Sequence, residues 1–108
     1  MSDLTEKRCV PCEGGVPPLG KSDVERLLAQ IPGWSLSGKW ISKEFNFKNF
    51  VEAMKLVNHV ADLAEAEGHH PDIHIHYNRV RFDIWTHAID GLSENDFILA
   101  AKIDALSL

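Results

Sequence analysis

The spacing of the apolar residues changes several times along this chain, and this change constrains the fold more than any other feature. Strict alternation of apolar and polar residues predicts a strand with one buried face, whereas apolar residues at every third or fourth position predict an amphipathic helix. Alternation occurs in "KWISKEFNF", "DIHIHY" and "RVRFDIWTH", and helical spacing occurs between the first two of these segments. The pattern therefore predicts strands and helices in a defined order.

Three segments have helical spacing, and their ends are marked by residues that favour helix starts or stops. Ser22 and Glu25 have the spacing of a capping box at the start of the first helix. The second helix is predicted to end at Gly68, because glycine favours the left-handed conformation at a helix end. Ser93 and Asp96 have capping-box spacing at the start of the third helix.

The predicted element order is α-β-β-α-β-β-α, with each pair of strands joined by a short turn that implies antiparallel pairing. We expect an α+β fold in which three helices pack on one face of a four-stranded antiparallel sheet. The 108 residues, 44% of them hydrophobic, suffice for one core and not for two. We expect residues 1–20 to form an irregular N-terminal arm and residues 21–108 to form a single domain.

Charge and composition exclude several classes of function. The formal net charge is -5 and the Lys and Arg residues are scattered, so direct binding of nucleic acid is not expected. No run of eighteen apolar residues is present, and "MSDLTEKRC" lacks the basic start and apolar centre of a signal peptide. We therefore expect a soluble, cytoplasmic protein with no membrane partner.

The "CVPC" motif contains Cys9 and Cys12, the two cysteines of the chain. A structural zinc site needs a second ligand pair, which is missing, and a redox CxxC motif normally sits at the mouth of a strand-helix unit. The Gly/Pro-rich segment that follows has no strand periodicity. Reduced cysteines in a loose arm are the preferred interpretation.

The second hairpin determines which histidines meet. If residues 78–79 form its two-residue turn, counting back places Ile75 opposite Phe82 and His70 opposite His87. His70 and its neighbours in "EGHHP" would then lie with His87 where the hairpin meets the ends of the second and third helices. Ends of elements are where functional sites are usually built.

The histidines therefore fall into two groups. His74 and His76 alternate with core residues and are interpreted as surface or oligomer contacts. His69, His70 and His87 form the candidate site. Three histidines can hold a catalytic zinc ion, but no HExxH motif is present, and proton transfer by imidazole, with a pKa of about 6.5, is preferred over metal binding.

At this point the residues resemble a known family. The gaps between five elements are similar to the signature of the pterin-4a-carbinolamine dehydratases, namely Glu65, His69-His70-Pro71, Tyr77, His87 and Asp96. The segments "IPGW", "FNFKNFVEAM", "HHPDIHIHYNRV" and "WTHAIDGLSENDF" extend the resemblance over roughly residues 20–106. A signature of several elements with fixed gaps is far more specific than a lone His-His pair.

The resemblance implies a reaction and a set of residues. The reaction is dehydration of 4a-hydroxytetrahydrobiopterin, a pterin-4a-carbinolamine, to quinonoid dihydropterin and water, without metal or organic cofactor. His69, His70 and His87 correspond to the catalytic histidines. The residues implied to bind substrate or support the site are Asp96, Glu65, Trp34 and Pro71. For Trp34, the alternative is a buried hydrophobic anchor. Glu65 could orient His69 or lie in solvent.

The resemblance also implies partners. It suggests a functional link to an aromatic amino acid hydroxylase, which releases the carbinolamine, and a homodimer or homotetramer. The alternative class is a binding protein, either a pterin-binding scaffold or a dimerisation cofactor of a transcription factor. Retention of all three histidines favours the enzyme, because a scaffold has no need of paired acid and base groups.

Overall fold

The computed structural model describes residues 3–10 and 17–107, and its elements follow the predicted order. The helices are α1 (Lys21–Leu28), α2 (Phe50–Glu67) and α3 (Glu94–Leu106). The strands are β1 (Ser35–Ser37), β2 (Trp40–Asn46), β3 (Asp72–His76) and β4 (Arg79–Ile84). Two short 3-10 segments are Asp3–Glu6 and His87–Ile89. The predicted α+β class is confirmed.

The four strands form one antiparallel sheet in the order β1-β2-β4-β3. Side chains that alternate along β2 and β4 are fully buried against the helices, namely Ile41, Val80, Phe82 and Ile84. The residues between them, such as Ser42 and Asp83, point to the opposite, polar face and hydrogen-bond each other there. All three helices therefore cover one face of the sheet, as predicted.

The predicted register of the second hairpin is wrong by two residues. The turn consists of residues 77–78, and Ile75 pairs with Val80 instead of Phe82. Asn78 explains the shift, because its side-chain amide donates to the Phe47 carbonyl (3.1 Å) and its carbonyl accepts from the Phe47 N–H (2.8 Å). These contacts with the chain beyond β2 fix the turn, and Tyr77 accommodates it with a φ of 53°.

Two of the three predicted helix ends are confirmed. Gly68 closes α2 in the left-handed conformation, with a φ of 65°, and its N–H donates to the Ala64 carbonyl. Ser93 precedes α3 as predicted. The predicted Ser22 cap is wrong, because α1 begins at Lys21 and its first backbone bond runs from the Val24 N–H to the Gly20 carbonyl. Glycine is an accepted residue at this position.

The N-terminal segment is packed against the domain more closely than a loose arm. Leu4, in the first 3-10 segment, is only 1% exposed and belongs to the core. Cys9 is partly buried against the same core, whereas Cys12 lies outside the described residues. No helix among residues 3–10 and 17–107 has the length and apolar character needed to cross a membrane.

Candidate active site

His69 and Asp96 form a short hydrogen bond between the end of α2 and the start of α3. The left-handed turn at Gly68 ends α2 and directs the following residue toward α3. His69 Nε2 lies 2.6 Å from Asp96 Oδ1. The Asp96 side chain is completely buried and the His69 side chain is 12% exposed. The imidazole is therefore held by a carboxylate that solvent does not reach.

The other oxygen of Asp96 is fixed by two further donors. Asp96 Oδ2 accepts hydrogen bonds from the Ser93 N–H and from the Thr86 hydroxyl, both at 2.8 Å. The first of these is the helix-capping contact predicted from the sequence. A carboxylate that accepts three hydrogen bonds has little rotational freedom, so it holds the ring of His69 in one orientation.

The contact with Asp96 also assigns the ring nitrogens of His69. A carboxylate accepts hydrogen bonds, so in the neutral ring Nε2 carries the hydrogen that is donated to Asp96. The other nitrogen, Nδ1, then has a free lone pair. His69 is therefore able to accept a proton at Nδ1 and to return it from the same atom.

His70 points to a different carboxylate. Its Nε2 lies 2.5 Å from Glu65 Oε2, and the two side chains are 59% and 78% exposed. The sequence left open a contact between Glu65 and His69 or a solvated Glu65, and the structure instead pairs Glu65 with His70. An exposed pair of this kind contributes little to the stability of the fold. The Glu65 contact instead orients the ring of His70.

An open cavity of about 280 Å³ brings the three predicted histidines together. Its lining consists of Gly68, His69, His70, Trp85, Thr86, His87 and Ala88. His87 begins the second 3-10 segment, and this loop is closed by a bridge in which the Thr86 N–H donates to the Gly91 carbonyl (2.8 Å). The gathering of the histidines is therefore observed, although the strand count that predicted it was wrong.

Trp85 and Thr86 line the cavity but were not among the site residues predicted from the sequence. Of the two, Trp85 contacts a predicted histidine through its ring. Its position beside a strand predicts a sheet-surface or interface residue, but its ring centroid lies 4.0 Å from that of His87, with an angle of 36° between the planes. On its flank the Lys39 ammonium lies 5.5 Å from the ring centroid. The observed register places position 85 opposite position 70 by extrapolation, so a correct turn assignment would have brought Trp85 to the site.

Trp85→Ala is expected to lower kcat by about 2- to 12-fold, because ring stacking typically contributes about 0.5–1.5 kcal/mol to holding the partner ring. Trp85→Phe retains an aromatic face against His87 and is expected to keep most of the rate. Steady-state kinetics on both variants, with thermal unfolding as a check on folding, measures the difference. Equal kcat values for wild type, Trp85→Ala and Trp85→Phe would contradict this role.

Trp34 and Pro71 lie outside the set of residues that line the cavity. Trp34 is buried in the core, and its indole N–H donates to the Asp104 carboxylate at 3.1 Å. Asp104 is eight residues along α3 from Asp96, a distance of about 12 Å. Of the two interpretations of Trp34, the geometry favours the buried anchor. Pro71 is half-buried between His70 and β3.

The carboxylates and histidines of the site do not form a metal-binding arrangement within the part of the chain that the structure describes. Within residues 3–10 and 17–107, no three His, Cys, Asp or Glu side chains are grouped so that they could hold a metal ion. His69 and His70 each contact a separate carboxylate instead. The site therefore contains two histidine-carboxylate pairs beside one cavity.

The fold and the cavity define a small α+β protein that presents three histidines to one open site, an arrangement suited to proton transfer. A model of the family described as Pterin 4 alpha carbinolamine dehydratase matches residues 17–106. The chain therefore belongs to the pterin-4a-carbinolamine dehydratase family, and its enzyme class is that of a dehydratase, a hydro-lyase.

Individual relatives agree with the family assignment. A relative from Nitrosospira multiformis, provisionally named a pterin-4-alpha-carbinolamine dehydratase, is 52% identical over 106 residues, or 98% of this chain and 94% of that protein. A solved structure described as a transcriptional coactivator/pterin dehydratase from Brucella melitensis is 32% identical, with a TM-score of 0.80 over 84% of this chain and 99% of that one.

A third relative has a different described role. A pterin dehydratase-like protein, described as a RuBisCO assembly factor in the alpha-carboxysome, is 26% identical, with a TM-score of 0.61 over 69% of this chain and 89% of that one. The resemblance found in the sequence is thus confirmed at the level of family and fold.

Proposed function

We propose that this enzyme removes water from 4a-hydroxytetrahydrobiopterin by histidine acid/base catalysis and releases quinonoid dihydropterin. The observation that carries the proposal is the buried His69-Asp96 contact beside a cavity that His70 and His87 also line. Family membership supplies the substrate class, and this geometry supports the means of proton transfer.

The proposed reaction breaks the bond between C4a and the hydroxyl oxygen and forms a double bond between C4a and N5. One proton joins the departing hydroxyl to give water, and one proton leaves N5. Protons and electrons therefore balance without an oxidant, a reductant or a cofactor. Imidazole performs both proton transfers near neutral pH, because its unperturbed pKa is about 6.5.

The roles of the three histidines follow the family resemblance. His69 and His87 are proposed to exchange protons with the hydroxyl and N5, and His70 is proposed to bind substrate and assist proton transfer. Asp96 supports His69, and Glu65 supports His70, in agreement with the observed contacts.

The partners follow from the proposed substrate. An aromatic amino acid hydroxylase that releases the carbinolamine is the proposed functional partner, in the cytoplasm. A homodimer or homotetramer is proposed, and the exposed strand β3 supports it, because an open sheet edge accepts a further strand. Ile75 on this strand is 40% exposed and Tyr77 after it is 67% exposed.

The test is the ultraviolet decay of enzymatically generated 4a-hydroxytetrahydrobiopterin in EDTA. Wild-type protein is expected to accelerate the decay, and His70→Ala and His87→Ala, verified as folded, are expected to lose the acceleration. No acceleration by folded wild type would contradict the proposal. Pterin binding without acceleration would instead favour the second candidate, a scaffold that binds pterin. Two structural relatives support this candidate, because one is described as a transcriptional coactivator and the other as a RuBisCO assembly factor.

A further inference from the structure

Residues 4–10, which we call the N-terminal strap, lie across the junction on which the candidate site is built. Leu4 anchors the strap in the core and contacts α3 through its 3-10 segment. At the other end of the strap, Cys9 and Val10 make hydrogen bonds to the last residue of α2 and to the first turn of α3. His69 and Asp96 belong to these same two helix ends.

Asn95 joins the strap to α3 with two hydrogen bonds. The Val10 N–H donates to Asn95 Oδ1 at 3.0 Å, and Asn95 Nδ2 donates to the Val10 carbonyl at 2.5 Å. Asn95 is buried and directly precedes Asp96 in the sequence. One side-chain amide therefore satisfies both backbone polar groups of a strap residue, next to the carboxylate that holds His69.

Glu67 joins the strap to α2. Its Oε1 accepts a hydrogen bond from the Cys9 N–H at 2.8 Å, and its Oε2 lies 2.8 Å from the Lys102 ammonium on α3. Burial would raise the pKa of Glu67, but the hydrogen bonds from Lys102 and Cys9 outweigh it and hold the pKa below its ordinary value. Glu67 is two residues before His69.

We propose that the N-terminal strap positions the acid/base pair, with Glu67 and Asn95 as positioning residues that fix the helix ends bearing His69 and Asp96. The proposal rests on the histidine mechanism proposed above. His69 and Asp96 come from different helices, so their 2.6 Å contact depends on how the two helix ends are held together. The strap contacts both ends through adjacent residues, Cys9 and Val10.

A displacement of about 1 Å at a catalytic pair can cost about 100-fold in rate. Two variants release the strap at different points. Glu67→Ala removes the acceptor of the Cys9 N–H, and Asn95→Asp keeps the shape but replaces the donor to the Val10 carbonyl with an acceptor. Glu67→Gln retains an oxygen acceptor and is the conservative comparison. Glu52→Ala, at a partly exposed acidic residue in the first turn of α2, is the matched control.

Cys9 reports whether the strap is docked. Burial, followed by the nearby Glu67 charge, raises the pKa of its thiol to about 12, so alkylation of the docked strap is slow because the thiolate is the reactive species. In a Cys12→Ser background, the rate of iodoacetamide reaction therefore measures release of the strap in Asn95→Asp, which keeps Glu67 in place. Glu67→Ala is compared with Glu67→Gln, because both substitutions remove the Glu67 charge that contributes to the raised pKa of Cys9. The pH dependence of kcat is recorded for each variant, because a protein that is merely less folded keeps the wild-type profile at lower amplitude.

Cys9 alkylation is expected to be faster in Asn95→Asp than in wild type, and faster in Glu67→Ala than in Glu67→Gln. Both release variants are expected to lower kcat by about 10- to 100-fold and to change the pH profile. Glu67→Gln is expected to restore most of the rate, and Glu52→Ala to match wild type. Faster alkylation with unchanged kcat and pH profile would overturn the proposal, as would unchanged alkylation in both release variants. If His69→Ala keeps the wild-type kcat in the same assay, the histidine mechanism is wrong. If His69→Ala loses activity, a negative result with the strap variants contradicts only the strap proposal.

Discussion

His69→Ala is expected to lower kcat for dehydration by about 100- to 10,000-fold, the contribution typical of an acid/base group. The variant should fold, because Asp96 retains its hydrogen bonds to Ser93 and Thr86 when the imidazole is removed. Stopped-flow measurement of the ultraviolet decay of the 4a-hydroxypterin gives kcat, and circular dichroism verifies the fold.

His76→Ala is the matched control for this prediction. His76 is an exposed histidine at the end of β3, paired in register with Arg79 and distant from the cavity lining. It is expected to have the wild-type kcat. A folded His69→Ala enzyme that is as active as His76→Ala would show that His69 takes no part in proton transfer.

Asp96→Asn is expected to produce a loss of similar size, about 100- to 10,000-fold in kcat. The amide oxygen can still accept from the Ser93 N–H and the Thr86 hydroxyl, which places the amide nitrogen against His69 Nε2. That nitrogen donates, so the ring hydrogen of the neutral imidazole moves to Nδ1, and the Nδ1 lone pair on which the proposed proton transfer depends is lost. The same stopped-flow assay measures the effect.

Asp83→Asn provides an unusually close control for the change at Asp96. Asp83 is also a buried aspartate that contacts a histidine, with Asp83 Oδ2 lying 2.9 Å from His74 Nε2 on the polar face of the sheet. The two substitutions therefore make the same chemical change in two histidine-aspartate pairs. If both variants had the same kcat, the effect at Asp96 would not reflect proton transfer in the cavity.

Much of the fold could be predicted because its signals are local. Gly68 ends α2 as its glycine chemistry indicates, and Ser93 and Asp96 start α3 at capping-box spacing. The histidines at positions 69 and 70 follow directly from the first of these ends. The sequence therefore predicted a site at the ends of two helices, and the structure places His69, His70 and His87 around one cavity there.

The hairpin register could not be predicted from its own residues. Asn78 is held by Phe47, which lies 31 residues earlier in the chain. The preferences of the turn residues themselves do not reflect a contact so distant in sequence. The wrong turn also places Trp85 opposite residue 72, whereas the observed register, extrapolated, places it opposite His70. The strap contacts of Glu67 and Asn95 could not be predicted for the same reason, because their partners lie 58 and 85 residues away in the sequence.

The two adjacent histidines differ in how far solvent reaches their carboxylates, and this difference separates their responses to ionic strength. At physiological ionic strength mobile ions screen exposed charges beyond about 8 Å, whereas buried pairs are screened much less. When the imidazoles are protonated, added salt therefore weakens the exposed His70-Glu65 interaction and leaves the enclosed His69-Asp96 interaction nearly unchanged. Of these two adjacent histidines of the candidate site, one exchanges charge interactions with the surrounding electrolyte and the other is shielded from it.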